Sequence, residues 1–446
     1  MRFAIRLVAF KQHTALSCHI TVMVKFYINE TAKAHEPEIR YILKLWSINQ
    51  AQEIAFPSSP DDAISIGTEP NAKLRVSADF SGPHSHARTS PFVRLDNVGQ
   101  DTAFPDAIDL LASAFQMVNA LQEYGSPDVD ELNRYQYQSS YQHRMGNVTT
   151  NLVQHCFDAI TRIVGTPVRQ APTKFFLSHD IDIVYNAIVE DGYNVIRKGR
   201  FDLFLKMLFS AAIGRPDWLN MDKIMALESA HDCKSIFFWI VNKGRINDRE
   251  ENADYRFQSS RIQKQFRHVD SKGFENGIHK SLSPESFRDE FTKYGNVPYA
   301  NRYHFLKFRL PDAWRDIESA GLKLDASLGF SAEMGFRNSY GLPFNPYSFS
   351  DRRPFNFVEV PLHIMDRTFF QYSKQSPQEA GLAILDFFEK NRTNCVLSVL
   401  WHNNFFTDYK FKGYLALYKQ ILAYISDNNF RTIPGREVIQ QYALRP

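Results

Sequence analysis

From about residue 173 onward, short apolar runs alternate with amphipathic stretches. "KFFLSHD" (174–180), "SIFFWIV" (235–241), "FENGIH" (274–279), "LKLDAS" (322–327), "FVEVPLH" (357–363) and "CVLSVLWH" (395–402) have the length and apolar content of buried strands. Helix signals lie between several of them. Ser283-Pro284 reads as an N-cap followed by a first-turn proline, "LPDAWRDIESAG" as a helix stopped by Gly321, and Ser376-Pro377-Gln378-Glu379 as a capping box opening another. Strands that alternate with helices pair in parallel through crossovers. The repeat over residues 173–440 has the size of one α/β barrel.

The chain ahead of it follows a different pattern. Residues 57–105 are rich in Pro, Ser, Gly and Asp, which predicts loops and short strands. Pro105-Asp106 should open a helix with Ile108, Leu111, Phe115 and Val118 on one face and Gly125 at its C-cap. A second helix is expected in "NVTTNLVQHCFDAITRIVG", where Val148, Leu152, Cys156, Ile160 and Val164 recur every fourth residue. "TPVRQAPTK" (166–174) reads as a linker. The expected organisation is therefore a poorly defined extension over 1–35, a small α+β accessory domain over 36–165, and the barrel over 173–440.

Composition narrows the classes. With 446 residues, 44% hydrophobic and 23% charged, the chain is an ordinary globular one of more than one core. A net charge of +3 without a Lys/Arg block argues against nucleic acid as a partner. The four cysteines (Cys18, Cys156, Cys233, Cys395) are scattered, fitting a reducing compartment and neither a disulfide scaffold nor a thiolate zinc site. No apolar run is long enough to span a membrane, and Lys11, His13 and His19 interrupt what would be a signal-peptide core, so a cytoplasmic protein is expected.

The chemistry sits where the apolar runs end. His179, Asp180 and Asp182 close the first strand, His279 the third, Asp325 a middle one and His402 the last. In an α/β barrel those C-terminal ends converge on one face, where active sites are built. Carboxylate and imidazole suit a divalent ion, Zn²⁺ first among candidates, which takes such ligands at about 2.0–2.2 Å and keeps a position open for water. Two carboxylates two residues apart on a strand point the same way, so one can ligate while the other serves as base. A histidine on the opposite wall can serve as acid towards a leaving amine. That combination predicts metal-assisted hydrolysis of an amide or ester.

"LSHDIDIV", "GIHKS", "NRYHF", "LDASLGF" and "VLSVLWHN" stand in the order and spacing of the polysaccharide deacetylase family, and Gly335-Phe336-Arg337 resembles an element of a bacterial branch with an extra N-terminal domain. The resemblance implies a distorted (β/α) barrel of about seven strands. It also implies a carbohydrate deacetylase, a hydrolase of C–N non-peptide bonds that removes N- or O-acetyl groups from an acetylated carbohydrate or glycoconjugate. Position by position, it makes Asp180 the base, Asp182 and His279 metal ligands, Arg302 the group that orients the base, Asp325 a support of the site and His402 the leaving-group acid. The family's second metal histidine falls on Ser283, which reads better as an N-cap, and His304 is the expected replacement ligand.

Each of these residues also has a plainer reading: turn-capping carboxylates for Asp180 and Asp182, a core histidine beside Trp401 for His402, an aromatic packing cluster around His304 and surface ion pairs for Arg302 and Asp325. His179 fits an orienting role better than ligation, and Asp366 and Arg337 fit loop salt bridges. His84 and His86 fit a solvated tract. The competing functional reading is a catalytically degenerate barrel that binds glycans or serves assembly, with Trp314, Phe330, Phe344, Tyr347, Phe369 and Phe370 stacking on sugar rings.

Overall fold

The computed structural model describes residues 23–77, 80, 90–95, 108–185, 192–193, 195–197, 199–212, 218–246, 251–407 and 410–445. His84, His86 and the Pro105-Asp106 helix start lie outside the described residues.

The N-terminal part is a parallel sheet of strands β1 (Val24–Ile28), β2 (Ile54–Ala55), β3 (Ile64–Gly67) and β4 (Leu74–Arg75), ordered β2-β1-β3-β4. Thus β1 lies within the stretch expected to be a poorly defined extension. A short antiparallel pair, β5 (Val93–Arg94) and β6 (Ile108–Asp109), follows. The helix after it runs Leu110–Val118, with the Asp109 carboxylate accepting from the Ala112 amide. Ile108 is therefore strand, and the helix stops ahead of Gly125 because Asn119 caps it and Ala120 turns left-handed at φ 50°. The other expected helix is Leu152–Val164, capped by the Asn151 side chain and closed by Gly165 at φ 85°. Val148 precedes it.

The C-terminal part is an eight-strand parallel path, β14-β11-β10-β9-β8-β7-β16-β15, with β17 added beside β7. The central strands are β7 (Lys174–Ile181), β8 (Ser235–Trp239), β9 (Glu275–Lys280), β10 (Ala300–Tyr303), β11 (Leu324–Asp325) and β16 (Val396–Leu400). A hairpin of β12 (Tyr347–Ser348) and β13 (Arg353–Pro354) leads into β14 (Val358–Glu359) and β15 (Ile364–Met365), and β17 is Arg431–Thr432. One extended segment thus meets both edges, since β14 pairs with β11 and β15 pairs with β16. Counting that segment once gives seven staves, the distorted (β/α) barrel expected.

Helices Met221–Ser229, Ser260–Ser271, Phe287–Tyr294, Asp312–Ala320, Pro377–Lys390 and Tyr414–Asp427 cross between staves. The expected capping box at Ser376 forms, and Gly321 ends its helix at φ 82°. Ser283 is not an N-cap. The helix begins later, on a Ser286/Asp289 capping box whose two side chains satisfy each other's backbone amides.

Among the described residues the main apolar core runs from Phe26 and Trp46 through the barrel to Trp401, with a small second cluster at Tyr135, Val148 and Phe330. Polar ties cross the two parts: Tyr41 Oη donates to the Asn345 carbonyl at 2.8 Å, and buried Arg337 pairs with Glu123 at 2.6 Å. No described helix is long and apolar enough to cross a membrane.

Candidate metal centre and its cleft

Strand parity sorts the residues of β7. Phe176, Ser178 and Asp180 share one face and His179 the other. His179 accordingly points into the helix layer, where Nδ1 meets the Trp401 carbonyl at 2.7 Å and Nε2 meets Glu228 at 2.8 Å. Tyr418 and Ser235 also donate to Glu228, so this buried network ties β7 to the turn before His402.

Asp180 and Asp182 face inward towards His279 Nε2, at 3.4 and 3.3 Å. His304, in the turn after β10, brings Nδ1 to 3.6 Å from Asp182 Oδ1 and 3.1 Å from His279 Nε2. All three groups are buried and their ligand atoms lie within 4.8 Å of one another.

Hydrogen bonds on the far side of each ring decide the tautomers. His279 Nδ1 faces the Arg302 carbonyl at 2.9 Å and His304 Nε2 faces the Glu251 carbonyl at 2.9 Å, and a carbonyl can only accept. Each neutral ring therefore carries its proton outward and turns a bare lone pair inward, an arrangement typical of metal-binding histidines. Asp182 Oδ1, buried between them, has no hydrogen-bond partner. Three acceptors facing one another repel unless a cation lies among them. Tetrahedral ligands at zinc distances stand about 3.4 Å apart, which the 3.1–3.6 Å separations match. The residues fit a divalent ion.

The two carboxylates favour positive charge at this point, whether an added proton or a cation. Burial pushes the Asp182 carboxyl up, but His304, His279 and His402 outweigh it and hold the group well below the usual carboxylate range. Burial likewise disfavours charged His279, yet Asp180 and Asp182 raise its pKa. Burial, with His279 alongside, pushes His304 down to about 4 against the pull of Asp182.

Arg302 is fully buried, stacked 4.7 Å over Phe238, and donates to Asp180 at 3.0 Å, Ser178 Oγ at 2.9 Å and the Ala326 carbonyl at 2.8 Å. Gly277 makes room for that ring, because a Cβ there would lie 2.6 Å from Phe238. His402 Nε2 stands 3.6 Å from Asp182 Oδ2, and its Nδ1 donates to Asp366 at 2.7 Å. Asp366 also accepts from the His402 amide at 2.6 Å.

Asp325 stands apart from this group. Its carboxylate accepts from Asn301 at 2.7 Å and Ser327 Oγ at 3.0 Å, and none of the Arg302 bonds reaches it. Burial raises its pKa, and burial with Asp325 beside it raises that of Glu359 well above the usual carboxylate range. Asp325 therefore braces the staves between β10 and β14 instead of touching Arg302.

The N-terminal part reaches the cleft through Arg134. His304 is followed by Phe305 and Leu306 at φ 55° and 53°, a left-handed pair costly for residues with a Cβ. Arg134 Nη1 donates to the Phe305 carbonyl at 2.9 Å and to Tyr372 Oη at 3.2 Å, while its Nε is held by Asp130 at 2.7 Å. Sequence reasoning weighed Asp366 as able to reach the site but preferred a loop salt bridge for it, and missed Arg134. For Asp366 a signal existed, an acid at the C-terminal end of the segment adjoining β16; for Arg134 there was none. Of the aromatic residues expected to stack on sugars, Trp314, Phe330, Phe344, Tyr347 and Phe369 are buried, and only Phe370 is exposed.

No family model matches the sequence and no curated protein matches it. Among solved structures, one described as a polysaccharide deacetylase from Mycobacterium smegmatis is similar at a TM-score of 0.38 and 13% identity, covering 62% of this chain and 96% of its own. The chitin deacetylase of the fungal pathogen Colletotrichum lindemuthianum is similar at 0.31 and 11%, covering 61% and 91%. At these values neither likeness bears on what the chain does.

Proposed function

We propose that the protein is a metal-dependent hydrolase that removes acetyl groups from an N- or O-acetylated carbohydrate. The observation that carries this reading is the convergence of bare His279 and His304 nitrogens on the partnerless Asp182 oxygen. The sugar part rests on the motif resemblance carried by "LSHDIDIV" through "VLSVLWHN".

Asp182, His279 and His304 would hold the ion, Zn²⁺ being the first candidate for this donor set. Bound there, it would supply Lewis-acid activation of water and of the acyl carbonyl. Asp180 takes the proton from the attacking water. Its Oδ1 is fixed by Arg302 at 3.0 Å, leaving Oδ2 turned towards the ligand histidine. His402, in its doubly protonated form, gives the Nε2 proton to the departing nitrogen or oxygen, and Asp366 on Nδ1 stabilises that imidazolium. Asp325 acts only through the staves it joins.

Metal analysis of the purified chain should find a single ion per chain. His279→Ala and His304→Ala should each lose it. Asp180→Asn should keep the ion and lose acetate release. Full turnover in Asp180→Asn, or unchanged metal content in both histidine variants, overturns the reading.

A further inference from the structure

Resting on that reading and deepening it, we propose that residues 130–138, which precede the barrel, build a second sugar subsite beside the metal cleft. The substrate is then an acylated saccharide of at least two units.

Space argues first. The cleft over Asp180, Asp182, His279 and His402 encloses only about 30 Å³, and one water needs about 10–15 Å³ on that measure. An acetyl group enters there, but the ring that carries it does not. Directly alongside lies a groove of about 320 Å³. The two share Arg134, Gln371 and Tyr372 in their linings, so the groove adjoins the cleft.

The groove's lining names the ligand class. One side is Glu131, Gln136, Tyr137 and Gln138, and the other is Phe330–Ala332. Amides and a carboxylate beside a half-buried aromatic ring match a sugar's hydroxyls and its apolar face; a lipid tail would require an apolar wall. Tyr137 is braced edge-on against Phe330 at 5.2 Å and His143 at 5.0 Å.

The groove is also preformed. The Asp130 carboxylate accepts from the Leu132 and Arg134 amides at 3.0 and 2.9 Å, and Asn133 supplies the left-handed turn at φ 61°. Arg134 then bolts this segment to the turn that carries His304. A site fixed before binding loses less freedom when a ligand arrives.

The test compares wild type with Tyr137→Ala and Gln138→Ala, residues outside the proposed catalytic set. The probes are 4-nitrophenyl acetate, which needs the cleft alone, and N-acetylglucosamine with its β-1,4-linked dimer and tetramer. Expected are a kcat/KM that rises with saccharide length in wild type, a loss of that rise in both variants, and unchanged cleavage of the aryl ester. Calorimetric titration of the tetramer should show Kd rising about tenfold in Tyr137→Ala. Tetramer binding that depends on Tyr137 without any hydrolysis keeps the subsite and overturns the deacetylase reading. Hydrolysis without length dependence, with equal tetramer binding in Tyr137→Ala, overturns the subsite and keeps the deacetylase. Absence of both binding and hydrolysis overturns both.

Discussion

Asp366 offers the sharpest test of how His402 works. Its carboxylate is fully buried and makes two short bonds to one residue, 2.7 Å to the ring Nδ1 and 2.6 Å to the amide. Asp366→Asn keeps the shape but offers one oxygen and one NH₂ for two donors. If the oxygen stays on the amide, the NH₂ meets Nδ1 and drives the imidazole to the opposite tautomer. A charge-assisted bond is worth about 1.5–3 kcal/mol, or about ten- to 150-fold in rate at about 1.4 kcal/mol per decade. A wrong tautomer in a buried Asp–His pair has cost as much as about 10⁴-fold. The variant should therefore lose between those limits in kcat for acetate release while keeping its metal, because Asp366 bonds none of the three ligands. Nitrogen NMR of His402 should find Nδ1 protonated in wild type and Nε2 protonated in the variant. A kcat within twofold of wild type, or an unchanged tautomer, refutes the assignment.

His363 is buried without a charged partner, and burial pushes its pKa down to about 3. A depressed imidazole favours the unfolded chain as pH falls below the ordinary value of about 6.5, at about 1.4 kcal/mol per unit, so about 2 kcal/mol of stability should vanish between pH 6.5 and 5. Urea titrations at several pH values check it: His363→Gln should flatten that slope, and an unaltered slope contradicts the assignment. Arg337→Met strips the partner from Glu123, buried like Arg337 itself, and should lower stability by about 3–5 kcal/mol. Adding Glu123→Leu should restore part of it in a denaturant-melt cycle, and strictly additive losses exclude the pairing. Arg134→Met releases the Phe305 carbonyl and should weaken metal affinity by about 10–100-fold, as other outer supports of ligands do; competition with a chelating dye measures it, and wild-type affinity argues against the clamp.

The strands legible in the sequence are those whose apolar run outlasts their polar ends. β7, β8, β9 and β16 are buried along most of their length, so hydropathy alone finds them. β10 escapes the same reading because Asn301 and Arg302, on opposite faces of the strand, are both fully buried and both polar. What holds that stave is hydrogen bonding to Asp325, Ala326, Ser178 and Asp180, partners far off in sequence that no local pattern reveals. The same distinction explains Ser283. Ser-Pro and Ser286-x-x-Asp289 are both valid helix starts, and the reciprocal bonds of the second decide between them.

The same reasoning divides the site. Asp180, Asp182, His279 and His402 are polar residues ending buried runs, a local anomaly visible in one dimension. His304 lies beyond a strand that hydropathy misses, in a turn whose left-handed φ values belong to no sequence rule for Phe or Leu. That turn stands because Arg134, 171 residues upstream of Phe305, accepts its strain through one carbonyl. The third ligand thus depends on a contact between the two parts of the chain, while the first two depend on the barrel alone. A barrel expressed without residues 23–165 should accordingly bind metal more weakly than the full chain even where it folds. Equal affinity would mean that the His304 turn holds itself.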